Sequence, residues 1–206
     1  MKKTWSLMTL LSLAASLTAL ADASSGANPP TGKDQATACM ACHGPRGIST
    51  NPLWPHLAGQ SEAYLVGQLK AFKEGSRFDP LMRAQVANLS EQDIKDIAAY
   101  FSALTAPVGV ASPEPAGVGE AVYLAGNAQS GVPACKDCHG PAGVGNVAAA
   151  YVRLAGQQAD YVALQLRIYR DGQRKVTPEA QMMSVMAARL TDAEIAAVAS
   201  YLSGLH

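Results

Sequence analysis

The chain has 206 residues, enough for one large domain or two small ones. Sixteen Lys and Arg balance sixteen Asp and Glu, which excludes the basic excess that a nucleic-acid binder needs to meet phosphate. Hydrophobic residues reach 49% while aromatic ones stop at 6%, so two small cores would lack bulk, and four cysteines are too few for a disulfide-dense scaffold.

Met1-Lys2-Lys3 precedes an apolar run from Leu7 to Leu20, the pattern of a secretory signal. Residues 1–21 are read as a signal peptide cleaved after Ala21, with Ala23 as the alternative. An uncleaved anchor would need about twenty apolar residues, and this run is shorter and broken by Ser and Thr. Without Lys2 and Lys3 the charge becomes about −2.

The remainder is one unit written twice. Cys39-Met40-Ala41-Cys42-His43-Gly44-Pro45 recurs as Cys135-Lys136-Asp137-Cys138-His139-Gly140-Pro141. Leu57-Ala58-Gly59-Gln60 recurs as Leu154-Ala155-Gly156-Gln157. Tyr64, Gln68, Leu69 and Gly75 match Tyr161, Gln165, Leu166 and Gly172. Between the copies, Thr105 to Ala116 carries Pro107, Pro113 and Pro115 and reads as a linker. The division is a first domain over 22–107, a linker over 108–116 and a second domain over 117–206.

Both copies read as helical. The leading segment of the first has no large apolar residue between Gly32 and Ala38, so its first helix is expected to span a turn or two. A middle helix is expected from Glu62 to Glu74, with Leu65, Leu69 and Phe72 aligned and Gly75 as its stop. Its counterpart carries Val162, Leu166 and Tyr169 and stops near Gly172. Ser90 caps the last helix of the first copy, and Thr191 with Glu194 forms a capping box on the last helix of the second. No alternating run asks to be a strand. The fold class expected is all-α: two tandem cytochrome c-like helical domains, each wrapped around one covalently attached haem.

That last expectation comes from the cysteines. All four sit in C-x-x-C-H, the attachment sequence of c-type haem. Cys39 and Cys42, and again Cys135 and Cys138, would form thioethers with the two vinyl groups of one porphyrin. His43 and His139 would supply the proximal nitrogen to iron. A zinc ribbon would place two such knuckles about 15–20 residues apart in one domain, and a thioredoxin-like pair would need a βαβ context. Met82 is the one methionine after His43 in the first copy, seven residues before Leu89. Met183 lies seven residues before Leu190, in register. These two are the expected sixth ligands, with Met182 and Met186 read as pocket or core residues. Methionine opposite histidine is the cytochrome c arrangement and raises the reduction potential. His56 and His206 are read as loop and tail residues, Arg83 as exposed, and Tyr100 and Tyr201 as packing the last helix on the first. Gln68 and Gln165 could reach a haem edge or lie on a helix surface.

On the two C-x-x-C-H-G segments, Leu57-Ala58-Gly59-Gln60 before Tyr64, Asp93-Ile94 through Ala98-Ala99-Tyr100-Phe101, and the closing Tyr201-Leu202-Ser203-Gly204-Leu205-His206, the chain resembles the dihaem cytochrome c4 proteins. The resemblance implies two class I cytochrome c domains with facing haem edges, carrying two haem c groups. It also implies His43 and Met82 on one iron and His139 and Met183 on the other. It implies a periplasmic or loosely membrane-associated carrier, not an enzyme, passing electrons toward a terminal oxidase, with quinol:cytochrome c oxidoreductase as a further partner. Two rivals stay open: a peroxidase-like dihaem enzyme, which needs an exchangeable iron position, and a haem subunit of a dehydrogenase complex. Trp54-Pro55 is matched by Tyr151-Val152 in the second copy, so the loop supporting the second histidine is expected to differ in shape.

Overall fold

A computed structural model describes residues 26–110, 116–149, 151–174 and 177–206. The expected signal peptide, its cleavage site and residues 111–115 of the expected linker lie outside these residues. The first domain contains α1 (Pro29–Gln35), α2 (Thr37–His43), α3 (Glu62–Glu74), α4 (Pro80–Val86) and α5 (Glu91–Ser102). The second contains α6 (Ala116–Ala125), α7 (Lys136–His139), α8 (Ala159–Arg170), α9 (Pro178–Ala187) and α10 (Asp192–Gly204). Among the described residues the only β pairing is two isolated bridges, Asn127 with Val132 and Asn146 with Tyr151. None of their helices is long and apolar enough to cross a membrane.

Local chemistry sets the helix ends. Ser61 Oγ accepts from the Tyr64 N–H at the start of α3, and Gly75 closes the helix in the left-handed region at φ 81°. Ser90 with Asp93 and Thr191 with Glu194 both form complete capping boxes, so the first copy shares the device read in the second. α1 is two turns long, as its apolar-poor sequence requires, and breaks at Ala36 before α2.

The first and last helices of each domain cross at a glycine. A Cβ on Gly32 would stand 1.9 Å from the Asp96 carbonyl oxygen of α5, and one on Gly119 would stand 2.1 Å from the Ala197 carbonyl oxygen of α10. Only a residue without a side chain permits this approach. Four residues further on, the domains exchange bulk. Ala36 sits near Phe101 in the first core, whereas Tyr123 joins Leu202 in the second. Large against small in one copy and the reverse in the other keep both crossings filled. Tyr123 also meets the Tyr201 ring at 5.5 Å between centroids, so Tyr201 packs the last helix on the first, as expected.

The two domains meet along a seam that repeats itself under a pseudo-twofold relation. Gln60 Nε2 donates to the Arg153 carbonyl at 2.9 Å, and its Oε1 accepts from the Arg153 N–H at 3.0 Å. Gln157 does the same to His56, at 3.0 and 2.8 Å. α8 lacks the side-chain cap that Ser61 gives α3. The Pro52 carbonyl of the other domain accepts from the Tyr161 N–H at 3.0 Å instead. One orphan donor of the helix start is thereby satisfied across the seam.

Candidate haem sites

In the first domain Cys39 and Cys42 lie one turn apart on α2, so their sulfurs share a face, and His43 ends the helix. In the second, Cys135 immediately precedes α7, Cys138 lies within it and His139 ends it. None of the four thiols is in a disulfide. Burial holds the Cys39 thiol above its ordinary range and pushes Cys135 up to about 11. A C-x-x-C redox enzyme needs the opposite, an acidified thiolate.

Both histidines are buried, at 7% exposure each. His43 Nδ1 donates to the Pro55 carbonyl at 2.9 Å and His139 Nδ1 to the Val152 carbonyl at 3.0 Å. With Nδ1 carrying the proton, Nε2 keeps its lone pair for a metal. Burial lowers the pKa of both rings, against the opposing effect of the carbonyl bonds, and so favours the neutral, ligating form. The donors suit haem c: two free thiols and one oriented imidazole in each domain.

The expected difference between the two supporting loops is real but stops short of the histidines. In the first loop, Ser49 Oγ accepts from the Asn51 N–H and the Asn51 side chain accepts from the Leu53 N–H. In the second, the Asn146–Tyr151 bridge does this work, and the Tyr151 ring lies 6.2 Å from that of His139. The acceptor is a backbone carbonyl in both cases, so Pro55 and Val152 serve alike. The glycine carbonyls of Gly47 and Gly143 each accept two N–H groups from the following Leu-Ala pair, which holds both loops to the same curve.

Met82 is the third residue of α4, where Asp79 Oδ1 accepts its N–H at 3.0 Å. Met183 lies deeper in α9, because that helix begins earlier, at Pro178 behind the Thr177 cap. Both methionines stand four residues before the last residue of their helices and both are half-buried. Met182 is 44% exposed and is no core residue, whereas Met186 is half-buried. Arg83 is exposed, as expected, and His206 is an exposed tail residue bonded to the Gly204 carbonyl. His56 is in a loop, yet it is more than a bystander: its Nδ1 accepts from the Ser49 N–H at 3.0 Å and its backbone belongs to the seam.

Two groups of residues were not assigned from sequence. Tyr123, fully buried, donates its hydroxyl to the Gly140 carbonyl at 2.5 Å, directly after His139. Its signal is its place four residues after Gly119, where Ala36 follows Gly32. Gln68 and Gln165 serve the domain junction, where they meet Arg77 and Arg174.

Paired helical domains, each presenting two thiols and an oriented imidazole, define a c-type cytochrome with two haem c groups. The cytochrome c family profile matches residues 31–105 and 119–206. Cytochrome c4 of Pseudomonas aeruginosa is 43% identical over 200 residues, covering 97% of this chain and 98% of that one. The crystal structure of reduced recombinant cytochrome c4 from Pseudomonas stutzeri superposes with a TM-score of 0.84 at 41% identity, covering 87% of this chain and 100% of that one. A thiosulfate dehydrogenase electron acceptor of Thiomonas intermedia is 39% identical over 189 residues, covering 89% of this chain and 83% of that one. The chain belongs to the cytochrome c4 family.

Proposed function

We propose that the chain is a periplasmic electron carrier that takes single electrons from respiratory donors and passes them toward a terminal oxidase. The observation that carries this reading is the repeated histidine geometry, in which each buried ring is held by a carbonyl with Nε2 free. Cys39 and Cys42 would anchor one haem and Cys135 and Cys138 the other. His43 with Met82, and His139 with Met183, would be the axial pairs. The haem supplies a one-electron centre whose iron changes oxidation state without bond making. The chain orients each imidazole through Pro55 or Val152, places each methionine on a capped helix, and excludes water by burial. His–Met pairs on both irons would leave no exchangeable position, which favours a carrier over a peroxidase.

A second reading follows from the thiosulfate dehydrogenase electron acceptor among the relatives: the electrons come from a sulfur-oxidising enzyme. Stopped-flow oxidation and reduction separate the two. Fast, salt-sensitive transfer to a terminal oxidase supports the first reading. Fast reduction by a thiosulfate dehydrogenase supports the second. Rapid peroxide turnover, or carbon monoxide binding to the native protein, would defeat both.

A further inference from the structure

Each proximal histidine is held by a peptide group that the other domain also holds. The carbonyl that accepts from His43 Nδ1 belongs to Pro55, and the N–H of that same peptide unit belongs to His56. Gln157 Oε1, from the second domain, accepts this N–H at 2.8 Å. The second domain repeats the arrangement. His139 Nδ1 donates to the Val152 carbonyl, and the N–H of that peptide unit, on Arg153, donates to Gln60 Oε1 of the first domain at 3.0 Å. Two relays of two hydrogen bonds thus cross the seam in opposite senses, from His43 to Gln157 and from His139 to Gln60.

The peptide couples the two bonds of each relay. Its C–N bond has partial double-bond character, so its N–H and C=O respond to one another. An acceptor on the N–H shifts electron density toward the oxygen and makes the carbonyl a better acceptor for the imidazole. A stronger bond at Nδ1 raises the basicity of the ligating Nε2. Gln60 is 6% exposed and Gln157 8%, so little water competes for these bonds. The orientation of both amides is fixed as well. Gln157 Nε2 donates to the His56 carbonyl and Gln60 Nε2 to the Arg153 carbonyl. Each Oε1 also takes the N–H of the next residue, Gln158 or Ser61. Turning either amide over would set donor against donor at two N–H groups.

Resting on the dihaem reading, with His43 and His139 as iron ligands, we propose that Gln60 and Gln157 are positioning residues for the haem of the opposite domain. Gln157 acts on the His43 iron through the Pro55–His56 peptide, and Gln60 on the His139 iron through the Val152–Arg153 peptide. A more basic imidazole stabilises the oxidised, more positive iron and lowers its potential. Each domain therefore sets part of its neighbour's potential, and the contact that joins the domains is also part of each ligand's hydrogen bonding.

The test is spectroelectrochemical titration of holoprotein carrying Gln60→Leu, Gln157→Leu, Gln60→Glu or Gln157→Glu, with the two waves assigned by Met82→His and Met183→His. Leu removes the acceptor at similar volume, and Glu replaces it with a stronger one. The expected pattern is crossed. Gln157→Leu raises the potential of the first haem and Gln60→Leu that of the second, each with a smaller change at the haem of its own domain. Each Glu variant lowers the potential of the opposite haem. A role confined to joining the domains would move both potentials alike in either Leu variant. That result, unchanged potentials, or a larger shift at the haem of the substituted domain would overturn the proposal. If a Leu variant does not fold, its Glu counterpart decides: a drop larger at the opposite haem supports the relay, and an equal drop at both haems, or none, overturns it. Wild-type protein carrying fewer than two attached haems would defeat the dihaem reading and the proposal with it.

Discussion

The side chain of Gln60 holds the backbone of Arg153 at both its N–H and its carbonyl, and Gln157 returns the same grip on His56. Each amide closes a two-bond ring across the seam, a backbone-like contact made by a side chain. Each glutamine oxygen also accepts the N–H of its own following residue. Gln60→Ala therefore strands two backbone groups of Arg153. Leaving such groups unsatisfied costs about 1–3 kcal/mol each where water is excluded. Urea unfolding of holoprotein should show a loss on the order of 2 kcal/mol for either single variant, and small-angle scattering should show looser domains in the double variant. A change below about 0.5 kcal/mol would mean the seam is held elsewhere.

His56 makes the same seam acid-sensitive. Burial lowers its pKa from the ordinary 6.5, and its Nδ1 accepts from Ser49, so the folded state prefers the neutral ring. The unfolded chain takes up its proton first as pH falls. The stability is thus fully present above pH 6.5 and is lost as pH drops from 6.5 toward the lower folded value. As the proposed iron ligands of the holoprotein, His43 and His139 would not add to this slope. Thermal melts at pH 7.5 and 5.5 should therefore differ less in His56→Asn, which keeps an acceptor without titrating, than in wild type. Equal slopes would remove His56 from the seam's pH dependence.

Much of the fold was legible along the chain. Glu62–Glu74, its stop at Gly75 and the Ser90 and Thr191 caps are local chemistry, and local chemistry is written in order. The repeat displayed Gln60 beside Gln157 and Gln68 beside Gln165, but not their purpose. A sequence repeat says that two positions are equivalent; it does not say that they face each other across a twofold. Gln68 and Gln165 were open between haem edge and helix surface, and they lie at the domain junction. The Tyr123-for-Phe101 exchange was hidden because its compensation runs between helices far apart in sequence.

The low aromatic content acquires a cause in two porphyrins, each a large flat apolar group. Replacing all four attachment cysteines by serine should leave a chain without cooperative unfolding, as read by circular dichroism during thermal melts. A cooperative, native-like melt of the haem-free variant would show that the helices fill their own cores.

Ligand identity at the second haem separates Met183 from its neighbours. Met183→His should lower one potential by on the order of a tenth of a volt, within the roughly 0.8 V that axial ligands span, and leave the other nearly unchanged. Met182→His, at a 44% exposed position, should do neither. The reverse pattern would break the register between the two copies.

The most direct measurement is proton NMR of the fully reduced protein. A methionine methyl bound to haem iron sits over the porphyrin and is shifted strongly upfield by its ring current. Two such methyl resonances are expected, one lost in Met82→Ala and the other in Met183→Ala. A single resonance, none, or one that survives both variants would contradict two closed His–Met irons and with them the carrier function.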